Sequence, residues 1–191
     1  MCGGVIFPYR AEYHDMLAEL YPANELAKFE SDGRVRSLYW QKPSPVLPVV
    51  PESGDKGAAD LAEMAATPRL MLWGSRDKDA PFPNTGWARL ESIEQGKWRH
   101  LRPRPALIPV LFGVEKGKWF TIKHGIAGLI VERDGEERVF MLTREATPEF
   151  AEATRHERMP VLIEQSDFPW LSGEPGGTLS ASQMSFPTTD H

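Results

Sequence analysis

Proline and glycine interrupt this chain so often that strands and turns, rather than long helices, are its expected framework. Seventeen prolines and sixteen glycines are spread along 191 residues. Proline fixes φ and lacks an N–H, and glycine supplies the conformations that turns need, so the segments between them stay short. A hydrophobic share of 41% is enough to bury one core at this length. The expected fold class is α+β, a β-rich single domain with flanking short helices.

The pattern along the chain fills in this outline. Gly3 to Phe7 reads as a short buried strand at the start of the sequence. Met16, Leu17, Leu20, Leu26 and Phe29 recur at spacings near three and four, which predicts a helix over 12–29 broken around Pro22. Strands are expected over 34–39, 46–50, 69–73, 106–114, 119–122, 127–133, 137–143 and finally 161–163. Glu115-Lys116-Gly117-Lys118 and Arg133-Asp134-Gly135-Glu136 suit hairpin turns. Residues 52–66 open as a loop and become a short helical stretch, residues 74–86 are rich in turn formers, and Pro148 to Arg155 suits a helix capped by Thr147. From Ser172 the chain is rich in Gly, Ser, Thr and Pro with little to bury. The expected division is a domain over 1–171 and a flexible C-terminal tail over 172–191.

Charge and cysteine content narrow the function classes. A formal charge of −5 and a pI near 5.6 disfavour a general basic surface for nucleic acid, so any DNA contact is expected to be local. One cysteine excludes an internal disulfide and a cysteine-based zinc cage, and the five histidines have no paired ligand spacing. No metal and no cofactor are expected. No run approaches the roughly 18 apolar residues of a membrane span, and the start lacks a signal-peptide plan, so the expectation is a cytoplasmic monomer without a membrane partner.

Three residues carry possible chemistry. A small second residue permits removal of Met1, which leaves Cys2 with a free α-amine beside its thiol. Such a 1,2-aminothiol condenses with an aldehyde to a five-membered thiazolidine. The amine has a reference pKa of about 7.7–8.0 and the thiol about 8.5, so both nucleophiles are available near neutral pH. The dipeptide alone also fits a cysteine that merely happens to stand at position 2. His156 precedes an apolar run and fits either a surface histidine or a proton-transfer group. Glu115 ends the apolar run from Leu107 to Val114 and fits either a solvated turn carboxylate or a poised acid or base.

Taken in order, Met1-Cys2-Gly3-Gly4, Tyr39 to Pro43, Leu72-Trp73-Gly74 with Lys78-Asp79, and Ala88-Arg89-Leu90-Glu91-Ser92 form the first half of a joint pattern. Leu107-Ile108-Pro109 to Glu115, Leu142-Thr143 with Ala146, and His156-Glu157-Arg158-Met159-Pro160-Val161-Leu162 complete it. The series resembles the successive signatures of the SOS-response-associated peptidase (SRAP) family from residue 1 to about 163. Its most specific piece is His-x-Arg-Met-Pro-Val, supported by the Met-Cys-Gly start. The resemblance implies a compact β-rich fold, autocatalytic loss of Met1, and covalent capture of abasic sites in single-stranded DNA through Cys2. It further implies Glu115 as the group assisting Met1 removal and imine formation, and His156 as the partner in sugar-ring opening and later proton transfers. Arg89 and Arg158 would hold phosphates, and Trp73 would border the DNA at a duplex-to-single-strand junction.

The chain departs from that family in three places. Trp87 stands where the family usually presents Asn in its Asn-Ala-Arg motif, Trp40 where it has Asn after a Tyr, and Gly4 where Arg commonly follows Met-Cys-Gly. Indole offers one donor and no acceptor, so it cannot replace an amide that orients a reacting group. Asn84, three residues before Trp87, is the nearest amide in sequence. The two tryptophans suit either a stacking surface for a base or filling of the core. Two other functions therefore stand beside capture: a catalytically weakened DNA-binding or protein-interaction module, and a thiol peptidase using Cys2 and His156.

Overall fold

The computed structural model describes residues 3–41, 44–51 and 68–163. Met1, Cys2, the expected helical stretch within 52–66, and the expected tail over 172–191 lie outside the described residues.

The architecture is β-rich α+β, built from two sheets. The first has four antiparallel strands in the order β2-β1-β7-β8, with β1 Gly4–Pro8, β2 Arg34–Leu38, β7 Phe112–Glu115 and β8 Lys118–Thr121. The second runs β11-β10-β4-β3-β6-β9, with β3 Val46–Pro51, β4 Arg69–Trp73, β6 Arg104–Ile108, β9 Ile126–Arg133, β10 Glu136–Glu145 and β11 Arg158–Pro160. Because β9 also pairs with β10, the second sheet closes on itself as a barrel, which removes most of its free edges. The ten-residue β10 runs beyond the closed part, where the short β5 Trp87–Arg89 pairs in parallel with Met141–Thr143 and β11 pairs with Thr143–Glu145.

The strands arise from alternation and β-branched content, and the turns from positive φ. Both expected hairpins form: Glu115 faces Lys118 across Lys116 and Gly117 (φ 45° and 77°), and Arg133 faces Glu136 across Asp134 and Gly135 (φ 53° and 80°). Positive φ at both central residues is the turn type that matches strand twist. The expected helix over 12–29 is α1 His14–Leu20, preceded by one short 3₁₀ turn, and α2 Ala23–Asp32, with the break at Tyr21 and Pro22. A short α3, Leu90–Glu94, follows β5. In α4, Pro148–Thr154, the Thr147 hydroxyl oxygen accepts the Phe150 N–H as the expected cap.

Two strand expectations are corrected. The run 106–114 is two strands in different sheets, β6 ending at Ile108 and β7 starting at Phe112. Pro109 lacks the N–H a continuing ladder needs, and the chain crosses there from the barrel to the smaller sheet. The last strand is Arg158–Pro160 rather than 161–163, with Leu162 contributing a single bridge to Ile126.

One continuous core joins the two sheets and the helices. Val5, Phe7 and Val35 of the smaller sheet, Leu17 of α1, and Val46, Ile108, Ile126, Ile130, Val139 and Met141 of the barrel are buried together. A second cluster, including Phe82, Ala88, Leu101, Leu129, Phe140 and Leu142, packs outside the barrel beneath the segment that carries β5 and α3. Burial of this kind contributes roughly 25 cal/mol per Å² of apolar surface, and it fixes the strand ends where the candidate groups emerge.

Candidate functional site

The described chain begins pinned on both sides. Gly3 donates its N–H to the Val114 carbonyl (2.8 Å), and its own carbonyl accepts the Tyr39 N–H (3.0 Å). Gly4 continues into β1 opposite Leu38 on one side and Val114 on the other. A Cβ at Gly4 would fall on Leu38 Cδ2 and lie 3.0 Å from both the Ser37 carbonyl oxygen and Val114 Cγ1. The glycine at this departure is therefore what lets Leu38 close over the strand. Cys2, the expected nucleophile, precedes Gly3 and lies outside the described residues.

Glu115 ends β7, directly after the Val114 that grips Gly3. It is only 5% exposed, with Oε2 shielded from solvent, so it is not the solvated turn carboxylate that spacing alone permits. The next residue, Lys116, has φ 45° and donates from Nζ to the Arg155 carbonyl (2.7 Å). Arg155 is itself left-handed (φ 53°), closes α4, and immediately precedes His156. The residue after Glu115 and the residue before His156 are thus in direct contact. His156 is half-buried, and its Nδ1 accepts the Arg158 N–H (3.0 Å). In the neutral ring that bond leaves the proton on Nε2.

The two expected phosphate holders differ. Arg158 forms a fork with Glu91, Nη1 to Oε1 and Nη2 to Oε2 at 2.9 Å each, and Nη2 also donates to the Thr143 carbonyl (2.7 Å). The hydrogen bonds from Arg158 hold the Glu91 carboxyl down to about 2, against an ordinary 4.5. With its terminal nitrogens committed in this way, Arg158 ties β11 to β10 and α3. Arg89 pairs with the same Thr143 through β5, but its side chain is exposed and forms no ion pair with any described residue.

The aromatic expectations are rearranged. Trp73 is 1% exposed, donates from Nε1 to the Gly86 carbonyl (2.8 Å), and packs against Tyr39 and Trp87 with ring centroids 5.1 and 5.6 Å away. A ring enclosed in this way packs as a core residue. Trp87 is buried beside it, so it fills core. Trp40 is 70% exposed, edge-on to Tyr39 at 4.8 Å and tilted 38° over Trp87 at 5.7 Å. Asn84 is exposed and hydrogen-bonds none of the described residues. Among the described residues no cluster of three or more His, Cys, Asp or Glu is placed to hold a metal ion. No helix among them is long and apolar enough to cross a membrane.

These features define a β-rich α+β domain with a closed barrel, in which the turn after β7 is bonded to the end of α4. The fold is shared with a protein of Bacteroides thetaiotaomicron solved by X-ray crystallography as a structural genomics target, at TM-score 0.50 and 15% identity, over 95% of this chain and 84% of that one. No family model matches the chain, and no curated protein matches it significantly.

Proposed function

We propose that this chain captures abasic sites in single-stranded DNA as a thiazolidine on Cys2, once Met1 has been removed. The open form of the abasic sugar carries an aldehyde. The Cys2 amine adds to it, water leaves to give an imine, and the thiol adds across the C=N bond as its proton passes to nitrogen. One aldehyde and one aminothiol give one ring and one water. Holding both nucleophiles on one residue makes ring closure intramolecular.

The observation that carries this reading is a set of contacts between neighbours. Gly3, which follows Cys2, is bonded to Val114, which precedes Glu115, while Lys116 is bonded to Arg155, which precedes His156. A buried carboxylate suits proton transfer during Met1 removal and imine formation, and an imidazole with its proton on Nε2 suits opening of the sugar ring, each worth roughly 10²–10⁴ in rate. Arg89, exposed and without an ion pair to a described residue, is the local phosphate contact in this acidic protein.

Intact mass of the purified chain, with and without an abasic single-stranded oligonucleotide, tests the reading. Loss of Met1 and a covalent adduct are expected, the adduct disappearing in Cys2→Ala. Full retention of Met1 in crosslinking protein, or equal crosslinking by Cys2→Ala, overturns it. A second reading, a catalytically weakened DNA-binding or protein-interaction module, draws on Trp87: a buried indole stands where an amide is usual in the resembled family. It predicts oligonucleotide binding without an adduct.

A further inference from the structure

Trp40 stands out among the described residues as a large hydrophobic side chain left in solvent. Its position is fixed from behind. Tyr39 and Trp87 pack against the ring, and Arg76 Nη1 donates to the carbonyls of both Tyr39 (3.0 Å) and Gln41 (2.7 Å), strapping the turn on either side of it. An indole that is both exposed and held has already lost the freedom that stacking would otherwise cost it.

Beside this turn lies a cleft of about 280 Å³ between α2 and the end of β2. Tyr21 and Phe29 line it with aromatic surface, Gln41 lines it from the turn, and its charged lining is Lys28 and Arg36 against the single carboxylate of Glu25. Arg36 also lies 5.4 Å above the Trp119 ring, which holds its guanidinium at the sheet surface. A flat apolar face next to a pocket with excess positive charge matches a ligand that is planar at one end and anionic at the other.

We infer that Trp40 and this cleft form a nucleotide subsite, with the base stacked on the indole and its phosphate held by Lys28 and Arg36. In the setting of the capture function proposed above, on which this assignment of the ligand rests, the nucleotide is the neighbour of the abasic sugar. Tyr39, adjacent to Trp40, is the residue bonded to the Gly3 carbonyl, so the platform starts one residue from the pinned start of the chain.

Two measurements test the subsite. The first is non-covalent binding of an ordinary single-stranded oligonucleotide, with no abasic site, followed by fluorescence anisotropy. Trp40→Ala is expected to weaken it about 5- to 150-fold, the equivalent of roughly 1–3 kcal/mol for one stacked base, and Trp40→Phe to retain most of it. Replacing both Lys28 and Arg36 with Ala is expected to lower the slope of log affinity against log salt by about 1.4, or about 0.7 for each lost phosphate contact. The second is adduct formation with abasic oligonucleotides flanked either by nucleotides or by base-free spacers. The wild type is expected to favour flanking bases, and Trp40→Ala to lose the preference. If the wild type does not bind the ordinary oligonucleotide, or Trp40→Ala binds it as tightly as the wild type, the subsite is overturned whether or not an adduct forms. If no adduct forms while Trp40→Ala still weakens binding, capture fails and the subsite stands.

Discussion

Lys116 and Arg155, both in left-handed backbone conformations, are joined by a hydrogen bond of 2.7 Å from the ammonium of one to the carbonyl of the other. Non-glycine residues adopt this conformation at a cost of order 1 kcal/mol or more, so the surrounding structure must hold both. The contact links the β7–β8 hairpin to the end of α4, and with them the neighbours of Glu115 and His156. Lys116→Met keeps the stem and removes the donor. It is expected to lower stability by about 0.5–1.5 kcal/mol and to slow adduct formation on the order of 10-fold, within the cost of a small misplacement. Thermal melts beside single-turnover crosslinking separate the two effects; unchanged crosslinking would leave the clasp a purely structural contact.

The Glu91–Arg158 fork makes stability depend on pH at the acid end. Glu91 keeps its charge in the folded chain down to about 2 but takes up a proton near 4.5 when its partner is lost. Between those values the unfolded chain binds more protons, so stability present above about 4.5 is lost as pH falls toward 2. Glu91→Gln is expected to flatten the dependence of Tm on pH in that window and to leave its slope above pH 6 unchanged.

Gly4 is a packing requirement. Gly4→Ala is expected to cost about 1–3 kcal/mol, because Leu38 and the Ser37 carbonyl already occupy the space beside it. Combining it with Leu38→Ala should cost less than the sum of the two single changes, read as non-additivity in denaturant midpoints.

The arginines should separate in their salt response. Arg89→Ala is expected to reduce the slope of log affinity against log salt for single-stranded DNA by about 0.7. Arg158→Ala should change that slope less and stability more, because its guanidinium is committed to Glu91 and Thr143. Equal slope changes in the two variants would show that Arg158 leaves its fork to meet phosphate.

Trp73 and Trp40 should respond in opposite ways. Trp73→Phe removes the indole donor to the Gly86 carbonyl, which still accepts the Met141 N–H, and leaves a gap in the core, at an expected cost of about 1–3 kcal/mol. Trp40→Ala, at an exposed position, should stay within about 1 kcal/mol of wild type in urea unfolding.

Local rules carried the sequence reading where they suffice. Pro22 broke the helix, Lys116-Gly117 and Asp134-Gly135 made the hairpins, and Thr147 capped α4. Elsewhere a long-range partner decides. Nothing between residues 106 and 114 but Pro109 marks the passage from one sheet to the other, and a continuous apolar run reads as one strand. Trp73 and Trp40 both pack on Tyr39 and Trp87, but Trp73 ends a strand enclosed between β3 and β10 and is core, while Trp40 follows the edge strand β2 and is left in solvent. Arg158 looked available because Glu91 stands far from it in sequence and close in space.

The strand order of the smaller sheet has a temporal side. β1 sits between β2, a near neighbour in sequence, and β7, which lies near residue 114. Loop closure over that span is slow compared with forming the β1–β2 pair, so the second side of β1 docks late. During synthesis β1 emerges well before β7, so its second side stays open until β7 has followed. A residue attached ahead of β1 spends that interval apart from the carboxylate and imidazole proposed to serve it, and a truncated product ending before β7 would carry the thiol without its setting.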